Sequence, residues 1–201
     1  MNIKRIKYKA IDSTTKVREA FEFFKNSFLF TRQKEDSEFL PMHEIYQMMI
    51  DNINQPFMFQ FVATHENIVI GCVIASVIDG EMFIPVLAVD HKYRGSGIAS
   101  KLLAKITRMA KRAQANIIKI IPSFVSAPYF IKRGFVGYAY VQVPPPANIE
   151  HIKAANLSNL ELVSASENVA KFNFPVLDKQ LLRPFKVIPG TQISVIFEKN
   201  I

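Results

Sequence analysis

Two glycines separated by one residue, Gly95 and Gly97, stand between an apolar run that ends at Val89 and a helical stripe that begins at Ile98. No other feature narrows the fold as much. A glycine pair lets the backbone turn with no Cβ in the way, so strand can pass to helix within a few residues. Ile98, Leu102, Leu103, Ile106, Met109, Ala110 and Ala113 recur at helical spacing and predict a helix from about Ser96 to Ala115. The residues before the loop set the kind of sheet. Ile68 to Ile78 and Met82 to Val89 flank Asp79-Gly80, a pair whose residues both tolerate positive φ and so favour a tight hairpin. Phe57 to Ala63, ahead of the Glu66-Asn67 turn, adds a third antiparallel strand. A dinucleotide fold would need a parallel unit here and a third glycine, and that position is Ser100. No Gly-Lys-Ser/Thr follows the loop, which excludes a P-loop.

The remaining elements are read outward from this centre. Ile3 to Ile11 alternates as a first strand, and Ser13-Thr14 caps a helix carrying Val17, Ala20, Phe21, Phe24 and Phe28. A second helix is expected over His43 to Ile53. Beyond the long helix come a strand at Ile117 to Ile121, a short helix at Ser126 to Arg133 closed by Gly134, and a strand at Phe135 to Val143. Pro144-Pro145-Pro146 breaks the chain. Residues 144–190 read as an insertion with helices near Asn148 to Ala155 and Asp178 to Leu182, before a last strand at Gln192 to Glu198. The expectation is one α/β (α+β) domain over residues 1–201, a central mixed and mostly antiparallel sheet flanked by helices.

Cys72 is the single cysteine and sits in an apolar run, so it reads as a core residue in a reducing compartment. The N-terminus lacks the apolar region of a signal peptide, and no apolar stretch is long enough to span a bilayer. A cytoplasmic protein is expected. The net charge of +8 favours an anionic partner. Its lysines and arginines are scattered without a basic block, which favours an ordinary basic surface or a phosphorylated cofactor over nucleic acid. His43, His65, His91 and His151 have no metal-ligand spacing, and no metal is expected.

The chemistry concentrates between Leu87 and Ser100. The first N–H groups of a helix have no intrahelical acceptor, and the helix dipole adds positive potential there. A glycine loop feeding such an end makes a site for phosphate or pyrophosphate. Arg94-Gly95-Ser96-Gly97-Ile98-Ala99 fits the Gln/Arg-x-x-Gly-x-Gly/Ala phosphate loop of the GNAT N-acetyltransferases, and Tyr129-Phe130-Ile131-Lys132-Arg133-Gly134-Phe135 is similar to that family's second signature. The resemblance is clear over about Ile68 to Val143 and rests on element order outside it.

That resemblance implies acetyl-CoA as cofactor and transfer of its acetyl group to a primary amine. Backbone groups of Leu87 and Val89 would pair with the pantetheine arm, with Ala88 between them also at the cofactor and the Leu87 N–H polarising the thioester carbonyl. Arg94, Gly95, Ser96, Gly97, Ile98, Ala99 and Ser100 would hold the pyrophosphate, and Ser123 stands where the family often has an Asn facing the cofactor. Pro85 lacks a ladder N–H and predicts an edge or a splay in its strand. The family's usual base positions fall on Phe83 and Pro85 and its usual acid on Phe130, none of which can act. Glu81 is the nearest carboxylate of matching strand parity, and Tyr129 adjoins the acid position. These two are the catalytic candidates. A non-catalytic acyl-CoA-binding protein and an enzyme for an RNA-linked amine are the alternatives.

Overall fold

The structure is a computed structural model that describes residues 6–32, 42–122, 126–174 and 178–201. It separates into two compact units, residues 1–118 with Ile201, and residues 119–200. The helices and strands of the first are those read from the sequence, with ends that differ by a few residues, and the expected first strand begins at Ile3, outside the described residues. Strand β1 (Lys7–Ala10) is followed by helices α1 (Thr14–Arg32) and α2 (Met42–Asp51), then by β2 (Met58–His65), β3 (Ile68–Ile78), β4 (Glu81–Val89) and helix α3 (Ile98–Arg112).

The strands of this unit pair in sequence order, each antiparallel to the last. The β3–β4 turn takes the conformation its residues allow, with φ of 49° at Asp79 and 76° at Gly80. Alternation then sorts the two faces of the sheet. Met58, Val62, Cys72, Ile74 and Val86 pack with Val17, Ala20, Phe21 and Phe24 of α1 and with Ile45 and Met49 of α2. Helix α3 takes the other face. Its buried residues are Ile98, Leu102, Leu103, Ile106 and Ala110, the stripe read from the sequence. At Pro85 the β3–β4 register is irregular, since Ile74 pairs with Val86 while Ser76 pairs with Phe83. One extra residue on β4 absorbs the missing N–H.

The second unit begins within β5 (Ile117–Ile120), whose first two residues belong to the first. It holds α4 (Ala127–Ile131), β6 (Val136–Gln142), α5 (Ile149–Ala155), β7 (Leu162–Ala165), β8 (Val169–Asn173), a 3-10 helix (Lys179–Val187) and β9 (Gln192–Asn200). Its strands run in the order β9-β6-β8-β7, all antiparallel. Here the structure departs from expectation. Residues 144–190 contain the hairpin β7–β8 as well as the expected helices, and β8 pairs with β6 from Tyr138↔Asn173 to Gln142↔Val169. The segment also supplies much of a core in which Ala139 and Val141 pack with Ile152, Phe172, Phe174, Leu182 and Phe185. Asn148 caps α5 by accepting from the Glu150 amide, while its own amide donates to His151 Nδ1.

Candidate functional site

The site in the first unit is built on the end of β4. The Asp90 amide donates to the Ile70 carbonyl on β3 at 3.0 Å. Backbone groups alternate sides along a strand, so those of Leu87 and Val89 lie on the edge of β4 turned away from β3. Both side chains are half-buried. The Arg94 Nε donates to the outward Val89 carbonyl at 3.4 Å, which confirms that edge's direction.

Asp90 then stops the strand. Its side chain accepts from the Lys92 amide at 2.8 Å and its carbonyl from the Tyr93 amide at 2.9 Å, closing a 3-10 turn over His91–Tyr93. The Tyr93 hydroxyl lies 3.3 Å from His65 Nδ1 and the two rings are 5.8 Å apart, which ties the turn to the end of β2. Nothing local in the sequence marks this brace, because the partners are 28 residues apart. Ser96 spends its hydroxyl on the Tyr93 carbonyl, so it shapes the loop rather than presenting a free donor.

Gly95 and Gly97 both adopt left-handed φ, 80° and 83°, which explains why glycine occupies these positions. A Cβ added at either would meet nothing within 4 Å, so the space in front of the loop is open. Gly97 caps α3 without a side-chain hydrogen bond. The first helical bond is from the Lys101 amide to the Gly97 carbonyl, and the amides of Gly97, Ile98 and Ala99 have no backbone acceptor among the described residues. Three consecutive donors, open space and the positive end of a fifteen-residue helix fit a pyrophosphate.

The catalytic candidates are less well served. Glu81 pairs with Ile78 at the start of β4, six residues before Leu87. That is about 20 Å of extended chain, beyond hydrogen-bond reach of anything held at the Leu87 amide. Strand parity puts Glu81 on a suitable face, but this length keeps it from taking a proton directly from an amine at the Leu87 amide. Tyr129 lies in the second unit, half-buried on α4. The Arg133 guanidinium stacks 3.6 Å from its ring centre and donates to its carbonyl at 3.0 Å. Its neighbour Phe130 is buried, edge-on to both Tyr129 and Phe135. Ser123 lies outside the described residues. Cys72 is fully buried, and burial pushes its thiol up to about 12, so it is neutral and no nucleophile at physiological pH.

A family model described as the acetyltransferase (GNAT) family matches residues 18–135, more than half of the chain. No curated protein matches it. Among solved structures, a protein named a predicted acetyltransferase, with acetyl-CoA, from Clostridium acetobutylicum aligns at a TM-score of 0.56 and 16% identity, over 65% of this chain and 89% of that one. The PaiA N-acetyltransferase of Thermoplasma acidophilum, in complex with coenzyme A, aligns at 0.52 and 13% identity, over 84% and 99%. The ribosomal-protein-S18-alanine N-acetyltransferase of Escherichia coli aligns at 0.50 and 13% identity, over 85% and 94%. At such identities the likeness speaks for the fold.

Proposed function

This chain belongs to the acetyltransferase (GNAT) family, and we propose that it transfers the acetyl group of acetyl-CoA to a primary amine by direct attack on the thioester. One observation carries the reading: two left-handed glycines and three amides without backbone acceptors open the N-terminus of α3, immediately after a strand edge that turns the Leu87 and Val89 backbone outward.

Acetyl-CoA supplies an acyl group already activated on sulfur. The amides of Gly97, Ile98 and Ala99, with Arg94, hold its pyrophosphate, and the backbone of Leu87 and Val89 aligns its pantetheine arm. The Leu87 N–H donates to the carbonyl oxygen as negative charge develops there. A C–N bond forms, the C–S bond breaks, the amine gives a proton to water, and the departing sulfur leaves as a thiolate and takes a proton from water. Glu81 lies too far along β4 to take the amine proton directly. Catalysis therefore rests on holding the reactants in line and on the oxyanion donor. The acceptor is an amine that arrives partly unprotonated, which makes turnover rise with pH below an ordinary lysine-like pKa of about 10.4. The single buried thiol accords with a reducing, cytoplasmic setting.

Phe83 and Pro85 at the family's usual base positions favour one competing reading, a protein that binds acetyl-CoA without turning it over. Melting with and without saturating acetyl-CoA tests the shared part. Ligand at one hundred times its Kd stabilises the fold by about 2.7 kcal/mol, a shift expected in the native chain and lost in Gly97→Trp. Thiol release with a panel of amines then separates the two. Release above the water rate supports the enzyme. A shift with no release for any amine supports the binder, and no shift at all sinks both.

A further inference from the structure

The fold gathers into one row the cations that look scattered in the sequence. Helix α3 carries Lys101, Lys105, Arg108, Lys111 and Arg112 and no acidic residue. At 100° per residue, Lys101, Lys105, Arg108 and Arg112 fall within about 60° of arc, along about 16 Å of helix. Lys101, Arg108 and Arg112 are exposed and Lys105 is half-buried. None of the five pairs with a carboxylate among the described residues. The helix's apolar stripe is already buried in the first unit, away from this row.

Aromatic rings flank the row. The Lys101 ammonium stands 5.7 Å from the Tyr8 ring centre and that of Lys105 stands 4.6 Å from Phe61. Strand β1 pairs with β2 only from Lys7↔Thr64 to Ala10↔Phe61, so Met58 and Phe59 run on past its end. A pocket of about 230 Å³ opens there, lined among others by Ala10, Phe59, Phe61 and Met109 of α3.

We propose that the outer face of α3, together with this aromatic-walled pocket, binds single-stranded nucleic acid: the row of cations tracks consecutive phosphates and the pocket takes one unstacked base. Phosphates need closely spaced cations free of carboxylate partners, and a base needs an apolar, aromatic slot beside them. A paired base could not enter the pocket, which selects a single strand over a duplex. A membrane surface would use an apolar helix face, and that of α3 is buried. The row lies beyond the loop that holds the pyrophosphate. Met109 is twelve residues past Gly97, about 18 Å along the axis, so the pocket is not the cofactor's own site.

Fluorescence anisotropy of a short labelled single-stranded RNA of mixed sequence, titrated between about 50 and 200 mM salt, is the test. Saturable binding is expected, with a duplex of the same sequence weaker. Lys105→Ala/Arg108→Ala/Arg112→Ala should weaken binding by about tenfold or more and make the log–log salt slope shallower by about 2. Phe59→Ala should weaken it by about fivefold with the slope unchanged. Both variants are checked for folding by their acetyl-CoA melting shift, which should persist because neither touches the loop. The proposal is overturned by no binding at the lowest salt, by a slope the triple variant leaves alone, by displacement with saturating acetyl-CoA, or by vesicles of anionic lipid competing as well as unlabelled RNA.

Discussion

Gly71 is where β3 passes beneath the first turn of α3. A Cβ there would stand 2.9 Å from Ile98 Cγ2, 3.3 Å from the Ala88 carbonyl oxygen and 3.4 Å from Leu102 Cδ1. Two of those neighbours belong to the site, since Ile98 is the first residue of α3 and Ala88 lies between Leu87 and Val89. The absent side chain therefore sets how closely the donor-bearing end of the helix approaches the strand. Gly71→Ala is an overpacking change that costs about 1 to 3 kcal/mol of stability. The clash falls on the first turn, so the substitution should also loosen acetyl-CoA binding. Calorimetric titration at a temperature where the variant stays folded should give a higher Kd. An unchanged Kd beside a lowered melting point would mean that the strand moves and the helix does not.

Among the elements, β9 carries a carboxylate where few proteins tolerate one. Glu198 is 8% exposed. It accepts from Lys171 of β8 at 2.7 Å and from the Tyr140 hydroxyl of β6, and Lys119 of β5 stands 3.9 Å away. Lys171 also lies 3.9 Å from the Tyr138 ring centre. One anion thus joins three further strands of its unit on the face opposite the Phe172–Phe185 core. Removing one member of a buried pair leaves the others uncompensated, and Glu198→Ala should cost about 3 kcal/mol or more by urea unfolding. Glu198→Ala with Lys171→Met should recover part of that loss, and a double variant no better than the single one would deny the coupling. This network was illegible in the sequence, as Lys119, Tyr140, Lys171 and Glu198 are distant in the chain and nothing local marks them. The β7–β8 hairpin was missed for a different reason. All four residues of β7 are exposed, so Leu162 and Val163 give no alternation of apolar and polar positions. By contrast, β3, β4 and α3 were readable because each carries its own period and its own punctuation at Asp79-Gly80 and Gly95-Gly97. The phosphate loop is local in the same sense. The catalytic candidates are not, since strand parity says nothing of the distance from Glu81 to Leu87.

At the scale of the molecule, the groups proposed to hold the cofactor, from Leu87 to Ser100, all belong to the first unit. Ligand binding raises the free energy of every opening that destroys the site and leaves other openings alone. The amides of β3, β4 and the first turns of α3 lose their bonds only when the site is lost. They should exchange more slowly with deuterium once acetyl-CoA is saturating, by up to about a hundredfold at one hundred times Kd. The amides of β7 should not respond. That strand has a single described partner in β8 and no buried residue, so it opens locally at little cost whether or not the ligand is present. Hydrogen exchange followed by peptide mass spectrometry resolves these segments. Slowing over residues 68–103 with β7 unchanged would tie the ligand to the loop and strand named here. Equal slowing of β7 would mean that it opens only with the whole chain, and that the binding energy is felt far beyond the residues that make the contact.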